Sequence, residues 1–384
     1  MRLSSDPAAR RRLAGLAATA ALALLAGAAV GAGSDGGDGA EGAAGTEAET
    51  EERRRLAVQA VERLSLRTRV GQVTVSTFEG TTVPGFIRRR LRSGETAGVI
   101  LFSTNASGAA GWRRLTRSLQ RPARGGGLVM VDQEGGDIRA LPHVGPWAGQ
   151  PLQGSPKAVR RAALAAGRGL RAAGVNVNLA PVADVAVPGS VMAGRAFPGG
   201  ARGVSRRTRA SVRGLGAARV AATAKHFPGL GRSAVNTDDG PATVSGELSG
   251  DLSPFRAAIA EDVSLVMLSH AAYPALDPRA IASQSPAVVS GLLRRELGFG
   301  GAVITDSLEA AAVLARSGVA TAAERSIRAG ADLILMTGSA SWNEVYPRLL
   351  ARARSSAAFR ARISESAARV LELKRRLGLR LPRG

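Results

Sequence analysis

The sequence predicts an α/β fold, a single (β/α)8 barrel of the TIM type, on three observations. Short apolar runs recur along the chain, each run ends in polar residues, and each is followed by an Ala-, Arg- and Leu-rich stretch that reads as a helix. Strands alternating with helices build a parallel sheet, because parallel neighbours must be joined by a crossover. Eight such repeats are enough to close the sheet on itself, with a doubly wound open sheet as the alternative.

Taken in order, the run at 72–78 leads to a helix near 84–92, and that at 98–102 to Asn105 and a helix near 109–120. The third, 128–132, closes on Asp132 and Glu134 before a helix at 156–173. The fourth, 175–182, runs into Asp184 and a helix at 203–217. Lys225 and His226 end the fifth, 221–226, and His270 ends the sixth, 265–270; helices near 254–261 and 286–297 follow them. Asp306 ends the seventh, 302–306, before a helix over 309–329, and the eighth, 332–336, precedes a closing helix at about 342–377. In a barrel all these ends converge on one face, where active sites form. Each polar residue alone has a bland explanation, as a cap or a rim hydrogen bond. Acids, a lysine and two histidines gathered on one rim make a site.

The 384 residues are 45% hydrophobic and 21% charged, a globular composition with material for a large core. The absence of cysteine excludes a disulfide framework, a thiolate metal site, a catalytic thiol and a lipidated N-terminal cysteine. A net charge of +22 invites a nucleic-acid reading. However, only Lys157, Lys225 and Lys374 are lysines, and the arginines are scattered in pairs such as Arg160-Arg161, Arg206-Arg207 and Arg294-Arg295 along helical stretches. Aromatics, at 3%, are too few for stacking platforms. The charge therefore reads as solvated helix faces, with no specific nucleic-acid partner.

Arg10-Arg11-Arg12 precede an apolar run over 13–32 that reads as a secretory signal cleaved near Ala32, with a retained membrane tether as the alternative. Residues 33–52 are Gly, Ala, Thr and acids without apolar period, a flexible, disordered acidic linker. The first segment carries +3 and the linker −7, so the barrel expected over 53–384 holds +26. The reading is an exported protein, secreted or associated with the cell envelope.

Several motifs occur in sequence: 98–102 with Asn105, Val131-Asp132-Gln133-Glu134-Gly135-Gly136, the stretch from Asn178 to Asp184, Gly194-Arg195-Ala196-Phe197, Lys225-His226-Phe227-Pro228-Gly229, and the stretch from Val303 to Leu308. From about Leu56 to about Leu379 the chain thereby resembles the family 3 glycoside hydrolases, specifically their β-N-acetylglucosaminidase (β-N-acetylhexosaminidase) branch. The resemblance implies a single (β/α)8 barrel, a retaining mechanism, no metal or organic cofactor, and a carbohydrate substrate such as cell-wall glycan or its fragments. A basic body also suits an acidic polymer of that kind.

By this resemblance Asp306 is the nucleophile that forms a covalent glycosyl-enzyme, a role suited to an ionised carboxylate beneath an anomeric carbon. The alternative is a helix cap, since Asp306-Ser307-Leu308-Glu309 looks like a capping sequence. Asp132, Arg195, Lys225 and His226 match positions that bind the sugar in the −1 subsite, and His270 matches one near it. Asp184 and Glu134 are expected to orient these groups. Arg139 lies one place before the family's usual arginine, so that role is not transferred to it.

The acid/base loop departs from the branch. There the family pattern is Lys-His-Phe-Pro-Gly-His-Gly, four variable residues, then Asp-Ser-His, whose last His is the acid/base. Here Leu230 replaces the loop's other histidine, Asn236 replaces the Asp and Asp238 replaces the catalytic His, with the spacing kept. Either Asp238 is the acid/base, with Asn236 and Asp239 shaping its pKa, or the chain is a catalytically impaired glycan-binding pseudoenzyme. A β-glucosidase-like member of the same family is the further alternative.

Overall fold

The computed structural model describes residues 51–52 and 55–382; the expected signal or tether over 1–32 and nearly all of the linker lie outside the described residues. Glu51 and Glu52, assigned above to the linker, are helical. Among the described residues no helix is long and apolar enough to cross a membrane.

The barrel strands are β1 (Thr74–Ser76), β2 (Gly98–Ile100), β3 (Leu128–Val131), β4 (Val177–Asn178), β5 (Ala221–Phe227), β6 (Leu265–Leu268), β7 (Ala302–Thr305) and β8 (Ile334–Leu335). They form one eight-stranded sheet in which chain neighbours are sheet neighbours and β8 returns to β1 through Thr74 opposite Ile334. All ladder pairs are parallel. The remaining seam closes where Ile304 bridges Leu333 and the Thr305 N–H donates to Leu333 O at 3.0 Å. The closed barrel is the predicted fold class.

Strands buried on both faces tend to read as continuous apolar runs, which is why most of them were visible in the sequence, although β1 and β4 bury Thr74, Ser76 and Asn178 as well. Val75, Ile100, Met130, Val177, Met267 and Ile304 belong to the cluster that fills the interior, while Val99, Val129, Val266 and Val303 belong to the one packed under the helices. β2 and β3 approach so closely that a Cβ at Gly98 would lie 2.0 Å from Leu128 O. The regular part of β4 ends at Asn178, short of the predicted 182, but cross-strand hydrogen bonds continue through Pro181 and Val182 bridges Lys225.

The longer helices are α1 (Gly85–Arg92), α2 (Gly108–Gln120), α3 (Pro156–Ala172), α4 (Gly200–Ala217), α5 (Ser249–Ile259), the π-helical α6 (Ala287–Glu296), α7 (Val319–Ala329), α8 (Trp342–Ser355) and α9 (Ala357–Arg376). Two predicted helices are broken. The stretch 309–329 divides into a single turn at Ala311–Leu314 and α7, and the first turn is set by a distant loop: the Ala311 N–H donates to Asp238 O at 3.2 Å and the Ala312 N–H to Thr237 O at 3.0 Å. The closing helix breaks at Ser356, which is extended and whose hydroxyl accepts from the Phe359 N–H to cap α9. Val370, Leu373 and Leu377 of that final segment join the interior cluster and plug the N-terminal end of the barrel. The other end stays open for loops.

Candidate active site

The C-terminal ends of β3, β5, β6 and β7 carry Asp132, Lys225 with His226, His270 and Asp306 to one rim. Consecutive strand residues normally face opposite sides. Lys225 and His226 nevertheless serve one site, at a place where the register of β5 against β6 shifts between Ala224 and Phe227. The peptide between them is cis, as are those at Ala180-Pro181 and Phe227-Pro228.

Four of the charged groups form a closed ion cluster. Arg195 grips Glu134 through two parallel hydrogen bonds, Nε to Oε2 at 3.0 Å and Nη2 to Oε1 at 2.7 Å. Lys225 Nζ donates to Asp132 Oδ1 at 2.5 Å and lies 2.7 Å from Glu134 Oε1. Burial alone would keep Glu134 protonated, but the Lys225 and Arg195 charges win and hold its carboxyl down at about 2. Burial likewise opposes the Lys225 charge, yet Asp132 and Glu134 push its ammonium up to about 12. Arg195 is raised in the same way by Glu134, against its own burial. Asp132 keeps 30% of its side chain open towards solvent, so a fixed acceptor is presented at the rim.

A second group surrounds Asp306. Asp184, fully buried, accepts from the His226 N–H at 3.2 Å, from His226 Nδ1 at 2.7 Å and from the Leu230 N–H at 2.7 Å. That leaves His226 Nε2 facing Asp306 Oδ2 at 3.8 Å. Asp306 Oδ1 accepts from the Ser307 N–H at 2.8 Å. Burial works to protonate Asp306, but His226, His270, Lys225 and the Ser307 N–H outweigh it and hold the carboxyl below the usual aspartate range. The helix-cap alternative does not hold. The next helical turn begins at Ala311, and its N–H groups are taken by the carbonyls of Thr237 and Asp238.

His270 is buried, and both ring nitrogens are engaged: Nε2 donates to Ser307 O at 2.9 Å and Nδ1 meets Ser283 Oγ at 2.8 Å. Burial lowers its pKa, against the nearby Asp306 charge, which raises it. In this geometry His270 steadies the Asp306-Ser307 backbone and has no free polar nitrogen for a sugar.

Asp238 arrives on the loop after β5, which is fixed along its length. A Cβ at Gly231 would lie 2.2 Å from Val185 O, so only glycine fits there. Arg232 Nε donates to Asp251 Oδ2 at 2.9 Å, and Asn236 Oδ1 accepts from the Asp238 N–H at 3.3 Å. The Asp238 carboxyl is raised by burial of its surroundings and by the Asp306 charge, against His226, His270 and Arg195. Its side chain is itself exposed, and the groups acting on it are those of the site. Asn236 shapes the backbone under Asp238. Leu230 is buried in the apolar cluster and contributes only its backbone N–H.

Sequence reasoning missed a carboxylate beside the site. Glu309 Oε2 accepts from Ser307 Oγ at 3.0 Å and from the Thr337 N–H at 2.9 Å, tying the end of β7 to that of β8. The only available signal was the capping pattern, which pointed elsewhere. Asn105 and Arg139 are structural: Asn105 Nδ2 donates to Phe78 O and Gly80 O, and Arg139 Nε to Gly136 O.

The chain matches the glycosyl hydrolase family 3 N terminal domain over residues 65–373. A β-hexosaminidase of Stenotrophomonas maltophilia (strain K279a) is 32% identical over 303 residues, covering 75% of this chain and 90% of that protein. Among solved structures, a β-N-acetylhexosaminidase from Beutenbergia cavernae DSM 12333 shares 32% identity with a TM-score of 0.75, over 81% of this chain and 98% of that one. A family 3 β-N-acetylglucosaminidase from Paenibacillus sp. str. FPU-7 gives a TM-score of 0.79 at 35% identity, over 82% of this chain. This chain spans 63% of that longer protein.

Proposed function

The chain belongs to glycosyl hydrolase family 3 and is a glycosyl hydrolase; from that premise we propose that it releases β-linked N-acetylhexosamine with retention, through a glycosyl-enzyme on Asp306. The observation that carries this reading is the ionised Asp306 at the rim of β7, with His226 Nε2 3.8 Å from its Oδ2. Asp132, Arg195, Lys225 and His226 fix the sugar, because charged, immobile partners compete best with water for its hydroxyls. Asp306 attacks the anomeric carbon as the glycosidic C–O bond breaks. Asp238, protonated, gives its proton to the departing oxygen. As carboxylate it then takes a proton from the water that attacks the same carbon, and Asp306 is released unchanged.

Its raised carboxyl supports Asp238 in that role, as does its place on a loop hydrogen-bonded to the turn that follows Asp306. A carboxylic acid of this kind is an ordinary proton donor for glycosidases. The substrate class is a cell-envelope glycan or its fragments, and the protein acts after export. The signal-like pattern over 1–32 and the strongly basic body support that placement.

The decisive experiment is hydrolysis of an aryl β-N-acetylglucosaminide and an aryl β-glucoside by wild type, Asp306→Ala and Asp238→Ala. Turnover of the first substrate, abolished in Asp306→Ala and restored to Asp238→Ala by azide, is expected. Wild-type rates equal to Asp306→Ala on both substrates would leave a glycan-binding pseudoenzyme, and preference for the glucoside would identify a β-glucosidase-like member.

A further inference from the structure

The N-terminal end of the barrel, opposite the active site, holds a cavity of about 690 Å³. It lies between the segment entering β1, the turn between α1 and β2, the glycine-rich turn before β3, and the end of α9 with the tail that follows. Gln72, Arg92, Arg124, Lys374 and Arg380 supply its polar side chains of interest, and no Asp or Glu is among the described residues that line it.

Lys374 is the unusual member. Its side chain is 2% exposed, and its Nζ donates to Gln72 Oε1 at 2.6 Å. Gln72 is itself locked, its Nε2 donating to Gly94 O at 3.2 Å, so the amide oxygen is held towards the lysine. An ammonium has three donors. Among the described residues the other two find no protein acceptor, and no carboxylate pairs with Lys374. Burial without a counter-charge pulls its pKa down to about 7. The contrast with Lys225, equally buried but flanked by Asp132 and Glu134, is direct.

A buried cation without a counter-charge is expensive, and part of the cost is recovered when an anion takes the vacant donors. The mouth of the cavity favours such an anion. Arg92, Arg124 and Arg380 are exposed there, and none makes an ion pair among the described residues. The fold also keeps the site in shape: a Cβ at Gly126 would lie 2.3 Å from Arg380 O, so the glycine turn packs directly on the C-terminal tail.

We propose that this cavity is a second binding site, for a phosphate-type oxyanion either free or at the end of a small molecule, with Lys374 as its buried anchor and Arg92, Arg124 and Arg380 at its mouth. The site is separate from the glycosidase centre and calls on none of its residues.

The test is calorimetric titration of the whole protein at fixed ionic strength with inorganic phosphate, with glycerol phosphate as the esterified form, and with chloride as control. Saturable one-to-one binding of a phosphate probe is expected, weakened at least tenfold in Lys374→Met. Tighter binding of glycerol phosphate assigns the site to an esterified ligand, and tighter binding of inorganic phosphate to the free anion. Should Lys374→Met lack the wild-type circular-dichroism spectrum and unfolding transition, the exposed pair Arg124→Ala and Arg380→Ala replaces it, with a severalfold loss expected. Phosphate heats no larger than those of chloride, or undiminished affinity in the folded variants, would overturn the proposal.

Discussion

Asp184 holds His226 by two hydrogen bonds, one to the backbone N–H and one to Nδ1, and so fixes the face of the ring that looks at Asp306. A carboxylate has no hydrogen to give, so Nδ1 is the donor and Nε2 is left for the cavity. Asp184→Asn keeps the shape but offers an amide that can donate as well as accept. The expected result is a fall in kcat of about 100-fold with a smaller change in KM, as for other groups that fix a histidine tautomer. Unchanged kcat would show that the orientation of His226 is irrelevant to turnover.

The two aspartates predict the pH profile. Asp306 must be ionised, and its carboxyl lies below the usual aspartate value, so the acid limb falls below that value. Asp238 must be protonated for the first step, and its carboxyl lies above the usual value, so activity declines as pH rises through the raised pKa. In Asp238→Ala the alkaline limb should vanish, and kcat for poor leaving groups should fall by about 100-fold or more. An alkaline limb that survives the substitution would place the acid elsewhere.

Glu134 predicts a stability effect in acid. Its folded carboxyl, at about 2, lies below the ordinary 4.5, so the stabilisation is present above the ordinary value and lost as pH falls through about 2. The shift corresponds to roughly 3 kcal/mol. Glu134→Gln leaves Arg195 and Lys225 close together without their shared anion, and should cost about 3–5 kcal/mol in urea unfolding at neutral pH. A loss under 1 kcal/mol would mean that solvent already screens the cluster.

Gly231 sets the position of the loop. With a Cβ 2.2 Å from Val185 O, Gly231→Ala must displace the segment that carries Asp238. A fall in kcat of about 10-fold or more is expected, with an unfolding midpoint lowered by a few degrees. Wild-type kinetics would show that the loop reaches its working position by another route.

The barrel was legible because most of its strands are apolar runs buried on both faces, as in Leu128–Val131 and Leu265–Leu268, and because most of these runs give way to polar residues at their ends. What escaped was set by contacts distant in sequence. The separate turn that starts at Ala311 depends on carbonyls at 237 and 238, and no local signal records them. Asp132, Lys225, His226 and Asp306 were legible by type and place. Their partnerships, such as Glu134 with Arg195 61 residues on, were legible only in kind. Lys374 was hidden within an arginine-rich helix. The signal available was scarcity: of the chain's only lysines, Lys157, Lys225 and Lys374, the last two are buried. Lysine shifts its pKa on burial far more readily than arginine.

The carbonyls of Thr237 and Asp238 receive the Ala311 and Ala312 N–H groups, so the arm bearing Asp238 is latched to the segment bearing Asp306. Swinging that arm away to let a product leave must undo both bonds, at about 1 kcal/mol each. Any swing of the arm, whether a sugar enters or a product leaves, therefore works against the same two bonds.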